Sequence, residues 1–279
     1  MKASYITFGL LLLAGIATSC DNISEDDRYY KEEKTPVSRN LLIMEFTGNN
    51  CVNCPLGAES VEKIKQDAGA DKVISVGLHP EGNINTRPMI TNHPKPGTLQ
   101  NFTCEEATEL FKYYGSPNGF PTAIFNGLKS SMSSDYGNWM TDAMTAFDQP
   151  SYVKLEAECD FDNSTRDLTV NYKVGFSDDL DESISIAVWL VENKILGVQM
   201  MPNGKKNEDY VHNHVLRASL NGTWGEYIGN SFTSTSELTG SASITIADNW
   251  VAENCDVVVI AFQDNDKYAQ QVISVKVIN

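Results

Sequence analysis

The chain has 279 residues, of which 41% are hydrophobic, and it carries 37 acidic against 21 basic residues. The net charge of −16 argues against nucleic acid or an anionic membrane surface as a partner. The length suggests two domains.

The N-terminus reads as a targeting segment. Lys2 precedes a short apolar stretch from Phe8 to Ile16, and small residues then lead to Cys20. The stretch is too short to span a bilayer and is typical of a secretory signal, which we place at residues 1–19. A cysteine directly after small residues resembles a bacterial lipobox, so Cys20 is predicted to be lipidated and to anchor the chain to a membrane. The alternative is ordinary cleavage that leaves Cys20 free.

Residues 20–36 form a predicted acidic tether. They contain Ser24-Glu25-Asp26-Asp27 and almost no aliphatic residues, so they cannot bury enough surface to order themselves. An acidic run after a lipidated cysteine resembles the surface-export signal of lipoproteins in Bacteroidetes-type bacteria. That resemblance implies a surface-exposed protein, whereas the simpler interpretation is a solvated spacer.

Two cysteines, Cys51 and Cys54, follow an apolar run over 41–46 that predicts a buried central strand. Apolar residues recur at helical spacing over 58–68, and Pro55 is tolerated only near a helix start, so a helix should begin beside the cysteines. A helix N-terminus stabilises a thiolate, the reactive form of cysteine. The pair therefore indicates a disulfide that opens and closes, half of a metal site or a local structural bridge.

Strand-like and helix-like segments alternate as far as Pro150. Further strands are predicted over 72–78 and 123–125, helices over 103–114 and 140–147, and a long loop over 80–101. After Pro150 apolar and polar residues alternate, which predicts strands. About seven short strands over 151–279 are typical of a β-sandwich.

Two further features accompany the cysteine pair. Glu45 lies six residues before Cys51, and Phe120-Pro121-Thr122 leads into a predicted strand. Together these residues resemble a thioredoxin fold over 37–150, with an insertion at 80–101. The resemblance implies that Cys51 attacks a disulfide, that Cys54 resolves it, and that Glu45 accepts the proton of Cys54 with a pKa raised by burial. It also implies a cis bond before Pro121, whose backbone would face a bound protein or peptide.

The motif differs from thioredoxins in its neighbours. Asn49-Asn50 precede the pair where thioredoxins present an aromatic residue, and Val52-Asn53 replace Gly-Pro between the cysteines. No Lys or His lies within the motif to lower the thiol pKa. A static disulfide therefore stays an alternative, and the redox potential does not follow from the sequence.

Other candidate residues have two interpretations each. In parallel strands, His79 and the 80–101 loop would border the cysteine pair, so His79 is either an active-site base or metal ligand, or a polar strand-end residue. Cys104 lies at the first turn of a predicted helix, which would lower its pKa and suit a resolving thiol, or it is a buried structural cysteine or a disulfide partner.

In the second half, Cys159 and Cys255 could form a disulfide in an oxidising compartment, which leaves one odd thiol. His212 and His214 should share one face of a strand and could bind a metal. No carboxylate or cysteine with ligand spacing accompanies them, so we expect neither a metal ion nor a cofactor.

A second resemblance covers most of the chain after the signal peptide, and the residues that carry it lie in the C-terminal half. Asn213-His214-Val215-Leu216-Arg217 with Asn221-Gly222-Thr223-Trp224-Gly225 resembles a family of Bacteroidetes outer-membrane lipoproteins named for a twenty-eight-kilodalton surface antigen. The family joins a thioredoxin-like domain with a CxxC to a β-sandwich. The resemblance implies an α/β thioredoxin-like domain followed by an all-β immunoglobulin-like sandwich over 151–279, located in the cell envelope at the outer membrane.

Two functions are compatible with these features. The first is a lipid-anchored lipoprotein that exchanges thiols and disulfides at Cys51 and Cys54. The second is a non-enzymatic surface binding or adhesion lipoprotein in which the same cysteines form a structural disulfide.

Overall fold

The computed structural model describes residues 34–115 and 118–278. The predicted signal peptide, Cys20 and the tether as far as residue 33 lie outside the described residues, so the predictions made for them stay predictions. Within the described part, no helix is long and apolar enough to cross a membrane.

The described residues before Pro150 contain strands and helices in alternation. In chain order they are β1 (Leu41–Phe46), α1 (Cys54–Ala68), β2 (Val73–Leu78), β3 (Met89–Thr91), β4 (Thr98–Gln100), α2 (Glu105–Tyr114), β5 (Thr122–Phe125) and α3 (Trp139–Phe147). Every strand and helix predicted for this half is present. The predicted loop over 80–101 contains the hairpin β3–β4, which the sequence did not predict.

Strand β1 is the central strand of this half, and all six of its residues are buried. It runs parallel to β2, with Leu41 opposite Val73, and antiparallel to β5, with Phe46 opposite Thr122. Helices α1 and α3 pack on one face of β1 and α2 packs on the other. Because β1 and β2 are parallel, the residues that follow them meet at one edge of the sheet.

The described residues after Pro150 are almost entirely strands, and there are ten of them rather than about seven. They are β6 (Val153–Phe161), β7 (Asp167–Phe176), β8 (Ile184–Glu192), β9 (Ile195–Met200), β10 (Lys206–His212), β11 (Val215–Ser219), β12 (Glu226–Gly229), β13 (Glu237–Thr245), β14 (Cys255–Gln263) and β15 (Ala269–Lys276). A three-stranded sheet, β13-β7-β6, packs over β8, β14 and β15.

The two halves of the chain share one sheet. Its strand order is β15-β14-β8-β11-β2-β1-β5, with β12 on β8, and Val215 of β11 lies opposite Gly77 of β2. Residues Lys34–Asn279 accordingly form one compact unit. The boundary predicted near Pro150 divides the sequence into an α/β part and a β part. Strands from both parts nevertheless belong to the same sheet.

Strand β8 shows why the halves join. The alternation of apolar residues puts Ile184, Ile186, Val188 and Leu190 on one face, and they are buried in the core of the second half. The alternate residues Ala187, Trp189 and Val191 are buried as well, in the core that includes β1 and α2. A strand buried on both faces needs a layer on each side, so the second half cannot expose this face to solvent.

Candidate functional site

Cys51 and Cys54 form a disulfide with an S–S distance of 2.12 Å. Cys54 is the first residue of α1, and Pro55 occupies the first turn, where its missing N–H costs nothing. Cys51 is 3% exposed and Cys54 is 2% exposed, whereas Val52 between them is 41% exposed. The sulfur atoms therefore lie beneath a loop whose middle faces solvent.

Glu45 is buried near the C-terminal end of β1, from which the chain continues to the cysteines. Burial raises the pKa of its carboxyl to about 8, and a hydrogen bond with Thr47 lowers it only in part. Its Oε1 atom has no hydrogen-bond partner. The expected rise in pKa is confirmed, and the carboxyl is largely protonated at neutral pH.

The bond between Phe120 and Pro121 is cis, as predicted. Pro121 and Glu45 both contact α1 at Gly57, one turn after Cys54. A Cβ on Gly57 would lie 2.7 Å from Glu45 Oε1 and 2.9 Å from Pro121 Cβ. The absent side chain of Gly57 therefore lets the acid, the proline and the start of the cysteine helix come together.

Gly57→Ala should destabilise the protein by about 1–3 kcal/mol, because the added methyl group overpacks against the ring of Pro121. The same change in an exposed helix stabilises by about 1 kcal/mol, so the sign of the effect is diagnostic. Urea unfolding of both proteins measures it. A Gly57→Ala variant as stable as the parent would contradict this packing.

The β9–β10 hairpin from the second half holds the cysteine loop. The Gln199 amide donates to the carbonyl oxygens of Cys51 at 2.9 Å and Gly48 at 3.2 Å. The N–H of Met200 donates to the Asn49 carbonyl at 2.8 Å. Sequence reasoning missed Gln199, although a single polar residue within the apolar segment over 195–200 was an available signal.

The 80–101 insertion borders the cysteine loop, as expected from the parallel strands. The Asn50 N–H donates to the Asn85 carbonyl at 2.9 Å, and the Asn50 side chain donates to the Ile84 carbonyl at 2.9 Å. A Cβ on Gly48 would lie 2.1 Å from the Asn85 carbonyl oxygen, so only glycine fits there. Loop and insertion are therefore packed against each other.

A cleft of about 550 Å³ opens between α1 and β10 and reaches Cys54. Its lining includes Glu45, Thr47, Cys54, Ala58, Glu59, Glu62, Lys63, His79, Tyr210, Val211, His212 and His214. The cleft brings residues of both halves together around one sulfur and the buried acid. Its volume is in the range of ligand sites.

His79 and His212 are buried in the wall of this cleft, on either side of Phe102. Burial lowers the pKa of His79 to about 3 and that of His212 to about 4. Such low pKa values make both imidazoles weak bases, which disfavours His79 as an active-site base. Within 34–115 and 118–278, no group of three or more His, Cys, Asp or Glu residues could hold a metal ion.

His212 and His214 do not share a strand face, which corrects the prediction. His212 ends β10, whereas His214 lies in the turn before β11 with a φ of 58°. The Nε2 atom of His214 is 2.6 Å from the Lys65 ammonium on α1. Burial lowers the pKa of both groups, so a neutral imidazole accepts this bond.

The three remaining cysteines of the described part are free. Cys104 precedes α2 at its N-terminus, but burial raises its pKa to about 12, which contradicts the expected low value. The predicted bridge between Cys159 and Cys255 is not formed. Burial raises the pKa of Cys159 to about 11 and that of Cys255 to about 12, so these thiols are poor nucleophiles.

Two solved structures are similar to parts of this chain. The structure is similar to HBP35 of Porphyromonas gingivalis, with a TM-score of 0.66 and 17% identity over 87% of this chain and 76% of that chain. This likeness shows a shared fold. A domain of the outer membrane lipoprotein Omp28 from Porphyromonas gingivalis is 21% identical over 46% of this chain and 88% of that chain, with a TM-score of 0.33.

A search of curated proteins found no match. The family model described as outer membrane protein Omp28 matches residues 107–279, which is more than half of the sequence. The match begins within α2 and includes β5, α3 and every strand of the second half. The chain therefore belongs to the Omp28 outer membrane protein family.

Proposed function

We propose that this outer membrane protein is anchored through a lipidated Cys20 and exchanges thiols and disulfides at Cys51 and Cys54. The anchor is supported by the signal-like residues 1–19 and the small residues before Cys20. A Cys20→Ser variant should leave the membrane fraction. Retention of that variant in the membrane would count against the anchor.

A thioredoxin-like arrangement of the first half supports the exchange activity. The cysteine pair lies between β1 and α1, β2 runs parallel to β1, and the cis bond at Pro121 precedes the antiparallel β5. A thioredoxin fold has these elements in this order. The insertion over 80–101 occupies the connection between β2 and α2.

The observation that carries the proposal is the buried carboxyl of Glu45. An acid with a raised pKa and an unpartnered oxygen is unfavourable for folding, and such groups concentrate at functional sites. It lines the same cleft as Cys54 and contacts Pro121 across Gly57. A purely structural disulfide does not need a proton donor in the cleft beside Cys54.

The exchange follows from these positions. A thiolate of a substrate dithiol attacks the Cys51 sulfur, and the S–S bond breaks with its electron pair on Cys54. The protonated Glu45 gives its proton to the Cys54 thiolate. The second substrate thiolate then attacks the substrate sulfur bound to Cys51 and releases the Cys51 thiolate, so the substrate is oxidised by two electrons and the protein is reduced.

The reverse steps reduce a substrate disulfide. The Cys51 thiolate attacks, Cys54 loses its proton to the Glu45 carboxylate, and the Cys54 thiolate resolves the mixed disulfide. In either direction the backbone beside Pro121 would hold the substrate chain. General acid–base assistance of this kind contributes about 10²–10⁴-fold to a rate.

Trapping tests the proposal. In a background with Cys104→Ser and Cys159→Ser, a Cys54→Ser variant incubated with a disulfide-containing polypeptide should form a stable adduct on Cys51, seen by mass spectrometry. Cys51→Ser is the matched control and should form none if Cys51 attacks. The proposal fails if neither variant forms an adduct and Cys51 does not react with an alkylating agent in the folded protein.

A second function is favoured by the burial of both sulfur atoms and by the Gln199 contact. Here the chain is a surface binding lipoprotein and the disulfide is structural. Cys51→Ala with Cys54→Ala should then cost about 2 kcal/mol of stability, as expected for so short a loop, and leave partner binding intact. Loss of binding by a variant that still folds would argue against this function.

A further inference from the structure

Exposed aliphatic side chains concentrate around the cysteine loop. Seven aliphatic side chains of the described part are among its exposed large hydrophobic residues, and six of them lie on the cysteine loop, the 80–101 insertion and the β9–β10 hairpin. We call these six the aliphatic rim: Val52, Ile84, Ile90, Leu99, Leu196 and Val211, each between 41% and 63% exposed. The seventh, Val251, lies elsewhere.

Hydrogen bonds join the three segments that carry the rim. Asn50 of the cysteine loop bonds to Ile84 and Asn85 of the insertion. The Met200 N–H bonds to Asn49 of the loop, and the Val198 N–H bonds to Gln100 of the insertion at 2.9 Å. The rim therefore belongs to three neighbouring segments, and exposed apolar side chains gathered in one region mark interaction sites.

The strand β10 offers a free edge beside the rim. The N–H groups of Val198 and Met200 point away from β10, so those of Gly197 and Gln199, which alternate with them along β9, point towards it. Tyr210 lies opposite Gly197, so its backbone N–H and C=O groups point towards β9. The backbone N–H and C=O groups of the next residue, Val211, therefore point away from β9. Val211 lines the cleft, and β10 has no second partner strand among the described residues.

We propose that the rim and the free edge of β10 bind an extended polypeptide segment whose apolar side chains flank a cysteine. A free strand edge recognises an extended backbone, and the rim recognises the side chains next to it. Glu59 and Glu62 of the cleft lining outnumber Lys63 there, so the segment is uncharged or basic. Unfolded polypeptides of the cell envelope offer extended apolar segments that are uncharged or basic. Glutathione is an anionic thiol and offers no such segment.

This inference rests on the proposed exchange activity for its cysteine, but the binding has its own test. The probe is a fluorescent synthetic peptide of alternating Val and Thr with a central Ser in place of Cys, titrated with the oxidised protein and followed by anisotropy. Leu196→Ser with Val211→Ser should weaken binding about tenfold, because two apolar contacts are lost. Val251→Ser is the matched control, since Val251 is 48% exposed against 47% for Leu196, and it should bind as the parent does.

Two further measurements test the strand edge and the insertion separately. A peptide N-methylated at alternate residues cannot pair with a strand edge and should bind more weakly than its parent peptide. Ile84→Ser tests the insertion side of the rim independently, should the double variant fail to fold. Equal binding by the rim variants and Val251→Ser, or no binding of the apolar peptide to the parent protein, would overturn the inference.

The cysteine form of the peptide separates the two proposals. If the disulfide-linked dimer of that peptide binds but forms no mixed disulfide with the Cys51 thiol of the Cys54→Ser variant, the exchange activity fails and the binding surface stands. If glutathione disulfide and the peptide disulfide form adducts at equal rates, and the rim variants do not change those rates, the exchange stands and the polypeptide preference fails.

Discussion

Replacing Glu45 by Gln should raise the free energy of unfolding at pH 8 and above by roughly 3–5 kcal/mol, with little change near pH 4.5. The Glu45 pKa rises from 4.5 to about 8 on folding, so between these values the native protein holds a proton that the unfolded chain has lost. Stability that depends on this proton is present below pH 4.5 and is lost as the pH rises towards 8. Gln is neutral at every pH, so the variant does not lose this stability as the pH rises.

Urea unfolding at pH 5, 6.5 and 8, with the disulfide intact, measures the effect. Glu59→Gln is the matched control, because Glu59 is exposed on the same side of the molecule and lines the same cleft. Its stability should follow the parent at every pH. If Glu45→Gln also followed the parent, the carboxyl would have to be ionised in the folded protein, and its role as a proton donor to Cys54 would lose its support.

Replacing Gln199 by Ala should cost about 2–4 kcal/mol of stability. Gln199 is 3% exposed, and its amide is the donor to the buried carbonyl groups of Cys51 and Gly48. Without it these carbonyl oxygens lose a partner that water cannot replace. The cysteine loop should also open more easily, so dithiothreitol should reduce the disulfide of the folded variant faster than that of the parent.

Urea unfolding and the rate of thiol release in native buffer measure the two effects. Gln66→Ala is a suitable control, since Gln66 is exposed on α1 and its loss should change neither quantity. A Gln199→Ala variant with parental stability would show that the hairpin merely lies over the loop. Faster reduction without loss of stability would show instead that the contact restricts access to the sulfur atoms.

The features of the site that agree with the sequence predictions are those set by local pattern. An apolar run, a CxxC and a proline at a helix start placed Cys51 and Cys54 between β1 and α1. The cis bond at Pro121 and the raised pKa of Glu45 also agree with prediction. Each depends on neighbours in sequence or on a strand too apolar to lie anywhere but in a core.

The predictions that failed concern the environment of a side chain. Cys104 lies at a helix N-terminus, as predicted, yet burial outweighs the helix and raises its pKa. His79 follows β2 at the expected edge, yet burial lowers its pKa to about 3, which disfavours the active-site base among its two interpretations. Position along an element follows from sequence, whereas the degree of burial depends on what packs over it.

The sequence by itself determined the alternating strands and helices before Pro150 apart from the hairpin β3–β4, the cysteine pair at the start of α1 and membership of an outer membrane family. Only the tertiary structure decided that β8 and β11 extend the sheet of the first half, and that Gln199 holds a loop 148 positions away. Local periodicity specifies which face of a strand is apolar. Which partner covers that face depends on the packing of distant segments, and no local pattern records it.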